Sequence, residues 1–104
     1  MIVDDVRTIL NERTGYYPDL AMIADRLFIN PRTLKRHLRK NGTGYRDLLI
    51  EAQKKDALMV LKSTGFNVED AALRLGYNDS SNFYRDFKKW TGLTVAQHIK
   101  LIRD

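Results

Sequence analysis

Apolar residues return every three or four positions along most of this 104-residue chain, and the interruptions contain glycine or proline. That period is the mark of helices with one buried face. Val3, Val6, Ile9 and Leu10 predict a first helix from about Ile2 to Arg13, broken by Gly15-Tyr16-Tyr17-Pro18. Asp19 is placed as the N-cap of a short helix with Leu20, Ile23, Ala24 and Leu27 on one side. Asn30-Pro31 restarts the chain: asparagine caps, and proline at the first helical position lacks only an N–H that has no partner there anyway. Leu34 and Leu38 point inward from the helix that follows, and Gly42 closes it. The longest segment, Gly44 to Ser63, carries Tyr45, Leu48, Leu49, Ala52, Ala57, Val60 and Leu61 near a 3.6 period, with Gly65 as its stop.

Past Gly65 the same pattern resumes. Asn67 caps a short helix holding Val68, Ala71, Ala72 and Leu75, and Gly76-Tyr77-Asn78 forms a turn. A longer helix then carries Phe83, Phe87 and Trp90 until Gly92, and Ser80, Ser81 and Asn82 are candidates to cap it. Thr94 with Gln97 three residues on is a capping box for a last helix ending near Arg103. The expected fold is all-α, about seven helices: an N-terminal helix and first helix-turn-helix over 1–43, a linker helix over 44–63, and a second helix-turn-helix with a C-terminal helix over 64–104.

The resumption is an internal repeat. Leu27 matches Leu75 and, with one extra residue in the second turn, Leu34 matches Phe83, Arg36 matches Arg85, Leu38 matches Phe87 and Arg39-Lys40 match Lys88-Lys89. Each copy reads as a short helix, a tight turn and a basic helix, the order in which a second helix enters the major groove of DNA. In the first copy Arg32, Lys35, Arg36, Arg39 and Lys40 occupy the outward side, with no acidic residue between Asn30 and Gly42. The linker, about twenty helical residues, spans roughly 30 Å, loosely matching the ~34 Å between successive major-groove segments on one DNA face.

Charge agrees with that reading. Lysine and arginine number 18 against 13 aspartate and glutamate, a net charge of +5, which favours a polyanionic partner. Cysteine is absent, so disulfides and thiolate zinc sites are excluded. No apolar run reaches the ~18 residues a membrane span needs, and Met1-Ile-Val-Asp-Asp lacks the features of a signal peptide. The expected location is the cytoplasm, at the nucleoid. Glycine-rich phosphate loops, paired carboxylates, a nucleophile beside a base and metal spacing are all missing, and His37 and His98 stand far apart. Neither catalysis nor a cofactor is expected.

The segments Ala71-Ala72, Leu75-Gly76-Tyr77, Ser81-Asn82-Phe83, Arg85, Phe87-Lys88-Lys89 and Gly92-Leu93-Thr94 are similar to the DNA-binding domain of the AraC/XylS family of bacterial transcription regulators. Leu20, Ile23-Ala24, Arg26-Leu27 and Pro31-Arg32-Thr33-Leu34 extend the likeness, which covers roughly Asp19 to Lys100. The resemblance implies two helix-turn-helix subdomains on an asymmetric promoter site. It carries base-reading roles to Arg32, Lys35 and Arg36 in one helix and to Ser81, Asn82 and Arg85 in the other. Asn30, Thr33, Arg39, Lys40, Ser80, Lys88 and Lys89 are then candidates for phosphate contact.

Three positions depart from the family pattern. Phe28 stands where the first turn usually has glycine, Val95 replaces a common proline, and His98 lies near a usual tyrosine. An effector-sensing or dimerising domain, present in many members, has no room in this length, so the chain is expected to be a fragment of a larger regulator or a stand-alone member. The leading expectation is promoter binding with activation through RNA polymerase. Its alternative is a helical protein-interaction module whose basic face meets an acidic protein rather than DNA.

Overall fold

The computed structural model describes residues 1–103, which form seven helices and no strand: α1 (Ile2–Leu10), α2 (Leu20–Arg26), α3 (Pro31–Lys40), α4 (Tyr45–Ser63), α5 (Val68–Arg74), α6 (Ser80–Thr91) and α7 (Val95–Arg103). The all-α expectation holds. The chain divides into two compact units, Met1–Ala52 and the residues from Gln53 onward, and the boundary falls inside α4.

In the first unit α3 packs on both α1 and α2. Its core gathers Val3, Val6, Ile9 and Leu10 of α1, Ile23 and Ala24 of α2, Leu34 and Leu38 of α3, and Leu48 and Ala52 of α4. In the second, α6 packs on α5 and α7 around Ala71, Ala72, Leu75, Phe83, Phe87 and Val95, joined by Ala57, Val60 and Leu61 of α4. The apolar periodicity along α4 thus feeds two cores in succession. It gave no sign of Asp56, a carboxylate of the same helix with only 3% of its surface exposed.

The local signals behind these helices are mostly those read from the residues. The Asp19 side chain accepts from the Met22 N–H at 2.8 Å, Asn30 from Arg32 at 2.8 Å and Asn67 from Asp70 at 3.0 Å. Each pairing satisfies one of the donors that a helix start leaves open. Thr94 and Gln97 complete their capping box: the Thr94 N–H donates to the Gln97 amide oxygen at 2.9 Å, and the Gln97 N–H to the Thr94 hydroxyl at 3.0 Å.

Two boundaries differ from expectation. Helix α1 stops at Leu10 rather than near Arg13, because the Asn11 amide turns back to the Arg7 carbonyl at 2.8 Å and closes the last turn. The cap of α6 is Asp79, whose carboxylate accepts from the Ser81 N–H at 2.9 Å, rather than any of Ser80, Ser81 or Asn82. Those three residues lie inside the helix, which leaves the side chains of Ser81 and Asn82 exposed on its first turn.

Candidate nucleic-acid interface

Helix α3 is sided by its two leucines. Leu34 and Leu38, with the equivalent Phe83 and Phe87 of α6, are the most deeply buried residues of their helices, each at 0% exposure. Successive residues of a helix rotate by about 100°, so burying positions four apart fixes which side remains in water. On α3 that side holds Arg32, Lys35, Arg36, Arg39 and Lys40, all exposed, while Thr33 is half-buried. Among the described residues no carboxylate pairs with any of the five cations. The arginines of α1, α2 and α5 are each paired: Arg7 with Glu51 at 3.0 Å, Arg26 with Glu12 at 2.6 Å and Arg74 with Asp70 at 3.2 Å.

The outward side of α6 carries Ser81, Asn82, Arg85, Lys88 and Lys89, all exposed, with Ser80 half-buried. Arg85 donates to the Asn82 side-chain oxygen one turn earlier, which holds its guanidinium over the helix. Asp86, the one acid inside α6, accepts from the Tyr77 hydroxyl at 2.8 Å and so is held toward the turn that precedes the helix. Beneath them an edge-to-face series runs from Tyr77 to Phe83 (5.6 Å between centroids), Phe87 (5.8 Å) and His98 (5.4 Å). The histidine that stands near a usual tyrosine therefore serves as a ring in the core wall.

Each unit also forms a groove between its basic helix and the start of the next one. In the first, Lys35 and Arg39 face Thr43, Gly44, Tyr45 and Arg46 across a space of about 330 Å³. In the second, Tyr84, Arg85 and Lys88 face Thr94 and Val95 across about 580 Å³. Lys35 and Tyr84 occupy equivalent places when Leu34 is set against Phe83. Tyr84 and Arg46 were not singled out from the sequence. The repeat alignment contained the signal for Tyr84, since its partner position, Lys35, already had a role. The Asn30 oxygen is committed to the Arg32 N–H, so only its amide group remains available for a phosphate.

A short helix, a tight turn and a second helix whose cations face away from its own core define a helix-turn-helix protein of the DNA-binding class, and this chain has that arrangement twice. Residues 23–100 match the family described as "Helix-turn-helix domain". The chain belongs to this family, as an AraC-type DNA-binding domain. It is 46% identical over 87 residues to the ornithine utilization regulator of Pseudomonas aeruginosa, covering 84% of this chain and 26% of that protein. It is 32% identical over 93 residues to the HTH-type transcriptional regulator GadX of Escherichia coli, covering 89% of this chain and 34% of the relative. The chain thus spans between a quarter and about a third of these relatives' length.

Among solved structures, a DNA-binding transcriptional dual regulator from Escherichia coli K-12 superposes with a TM-score of 0.77 at 31% identity, covering 93% of each chain. The transcriptional regulator CdpR from Pseudomonas aeruginosa gives 0.68 at 36% identity, over 81% of this chain and 27% of that one. These relatives and neighbours are named as regulators of transcription, and sequence-specific DNA binding is the role of the helix-turn-helix domain that this chain shares with them. Among the described residues no helix is long and apolar enough to cross a membrane.

Proposed function

We propose that both basic helices enter the major groove, α3 and α6 each taking one of two adjacent segments. The observation that carries this reading is the complete burial of Leu34, Leu38, Phe83 and Phe87, which leaves α3 and α6 with cationic outward faces and no core to cover them. Arg32 and Arg36 then read base edges from α3, and Ser81, Asn82 and Arg85 from α6; arginine suits guanine and asparagine suits adenine. Thr33, Arg39, Lys40, Ser80, Lys88 and Lys89 contact phosphates, with Asn30 contributing its amide.

A helix lying in the major groove has the sugar–phosphate backbones along its flanks, so the two side grooves receive backbone rather than bases. Lys35 therefore takes a phosphate together with Arg46, in place of the base-reading role that the family resemblance implied. Tyr84 takes the corresponding backbone contact in the second unit through its hydroxyl. The output is transcription control at promoters, with activation through RNA polymerase, and an effector-sensing or dimerising region of the longer regulator supplies the input. The site of action is the nucleoid. Selection of bound sites from a random DNA pool, followed by footprinting, tests this: two protected major-groove segments about one helical turn apart are expected. A single protected segment would remove one helix from the interface.

A further inference from the structure

Four helices end in the same doubly bonded turn, and three of the four place glycine where the fourth places phenylalanine. In each, an outer N–H reaches the carbonyl five residues back: Ile29 to Ala24 at 3.0 Å, Thr43 to Leu38 at 3.0 Å, Phe66 to Leu61 at 2.8 Å and Tyr77 to Ala72 at 3.0 Å. The inner N–H belongs to Phe28, Gly42, Gly65 and Gly76, bonded at 3.1, 3.0, 3.1 and 3.1 Å. All four inner residues are left-handed, with φ of 58°, 76°, 68° and 92°. A Cβ is strained in that conformation, which is why glycine dominates the position. At Gly42 and Gly65 a Cβ would meet nothing within 4 Å, so glycine serves the backbone there and not a lack of space.

Phe28 bears the strain and gains no packing, for its ring is 95% exposed. The other left-handed phenylalanine, Phe66 at φ 67°, packs against the core of its unit. Backbone strain that the fold itself does not offset is the kind found at functional sites. The ring also has a telling address, two residues before Asn30, the cap of α3. The first residues of a recognition helix are the ones that approach base edges, and the first turn of α3 carries the exposed Arg32, which has no carboxylate partner among the described residues.

We infer that Phe28 is a DNA-contact residue whose ring docks on an apolar edge of the duplex, a thymine methyl or a deoxyribose, where α3 enters its groove. This rests on the DNA reading above and adds to it a contact made by the turn rather than by the helix. Gly76 holds the equivalent place in the second unit, so the contact belongs to the first unit alone. Apolar side chains discriminate thymine by its methyl group, and an exposed ring is available for that without rearrangement.

Phe28→Ala and Phe28→Gly in the full chain separate contact from strain, since both remove the ring and only glycine relaxes the backbone. Against a selected duplex both variants should lose affinity alike, about tenfold, while the Tm of Phe28→Gly rises roughly 4 °C or more above that of Phe28→Ala. Duplexes with deoxyuridine at each selected thymine identify the edge. If one such change weakens the parent chain as much as Phe28→Ala does, and Phe28→Ala adds nothing further, the methyl is the contact. If every uracil duplex binds as the parent does and the variants still lose affinity, the contact is deoxyribose. Parent and variants binding alike would overturn the inference, leave DNA binding standing and point to a protein surface for Phe28. Loss of all sequence-selective binding by the parent would remove the ligand, and the contact with it.

Discussion

Helices α3 and α6 hold equivalent places in their two units and do unlike chemistry. On α3 five cations stand in water without a carboxylate partner among the described residues, over an aliphatic ridge of Leu34 and Leu38. On α6 the exposed cations are Arg85, Lys88 and Lys89, interleaved with Ser81, Asn82 and Tyr84, over an aromatic ridge that continues to Tyr77 and His98. The repeat has kept the buried positions and let the exposed ones diverge. Affinity from counterion release should therefore come mainly from the first unit, and hydrogen-bond selectivity weigh more in the second.

The largest effects lie under the surface. Phe87 is fully buried and touches both Phe83 and His98, so Phe87→Ala is expected to cost about 3–5 kcal/mol of stability, and Leu38→Ala, deleting a smaller side chain, about 2–5. Trp90 packs on the second core and is the sole tryptophan, so its fluorescence follows that unit during urea unfolding, while far-UV circular dichroism follows helices throughout. A cost under about 1 kcal/mol for Phe87→Ala would mean the aromatic ridge does not organise α6.

Next in size are the arginines at the centre of each outward face. Arg36→Ala and Arg85→Ala should each weaken binding to a selected site by ~1–3 kcal/mol and relax base preference within one protected segment only. Arg85 is held by Asn82, so Asn82→Ala removes the proposed base contact and also frees the guanidinium, and part of the Arg85 loss should follow. An Arg85→Ala variant with unaltered footprint and affinity would take α6 out of the interface and break the symmetry between the helices.

Salt sharpens the contrast. Removing one phosphate-binding cation lowers the slope of log affinity against log salt by ~0.9, so Lys35→Ala and Arg39→Ala should each flatten the titration by about that amount. Tyr84→Phe should reduce affinity a few-fold and leave the slope as it was, because a neutral hydroxyl displaces no counterion. Should Lys35→Ala leave the slope unchanged, the groove beside α3 holds no phosphate, and the two flank grooves are not equivalent in use.

How much of this was legible in the sequence depends on range. Caps formed by residues two or three apart were readable at Asp19, Asn30, Asn67 and Thr94, since side chain and N–H lie within one turn. Asp79 was missed because four capping residues stand in a row from Asp79 to Asn82, and only the backbone selects among them. The ridges were readable from their spacing. The pairing of Asp86 with Tyr77, nine residues away, was not, nor were the side grooves, which require the start of the following helix to be placed in space. Phe28 was visible as a departure from the family pattern, but its left-handed backbone and bare ring are facts of the turn.

The smallest expected effect separates how the two units tie their surface elements. In the first, Arg26 donates from both terminal nitrogens to both oxygens of Glu12 at 2.6 and 2.8 Å, fastening the segment after α1 to α2. The second has Asp70–Arg74 at 3.2 Å, which joins only neighbouring turns of α5. That hydrogen bonding from Arg26 holds the Glu12 carboxyl below its ordinary 4.5, while its attraction to the cation adds to the effect and partial desolvation opposes it. A depressed acid stabilises the folded state fully above its ordinary value, and the contribution is lost as pH falls through the depressed one. Both partners are about half exposed, at 49% and 43%, so the gain is small and screened by salt. In low salt at neutral pH the parent chain should melt slightly above Glu12→Gln, with the gap closing in acid below the depressed value and also in high salt. Asp70→Asn should show a difference no larger than a local i,i+4 pair allows, about 0.3–0.5 kcal/mol. Identical melting of parent and Glu12→Gln at every pH in low salt would show that the fork, for all its geometry, does not hold the first unit together.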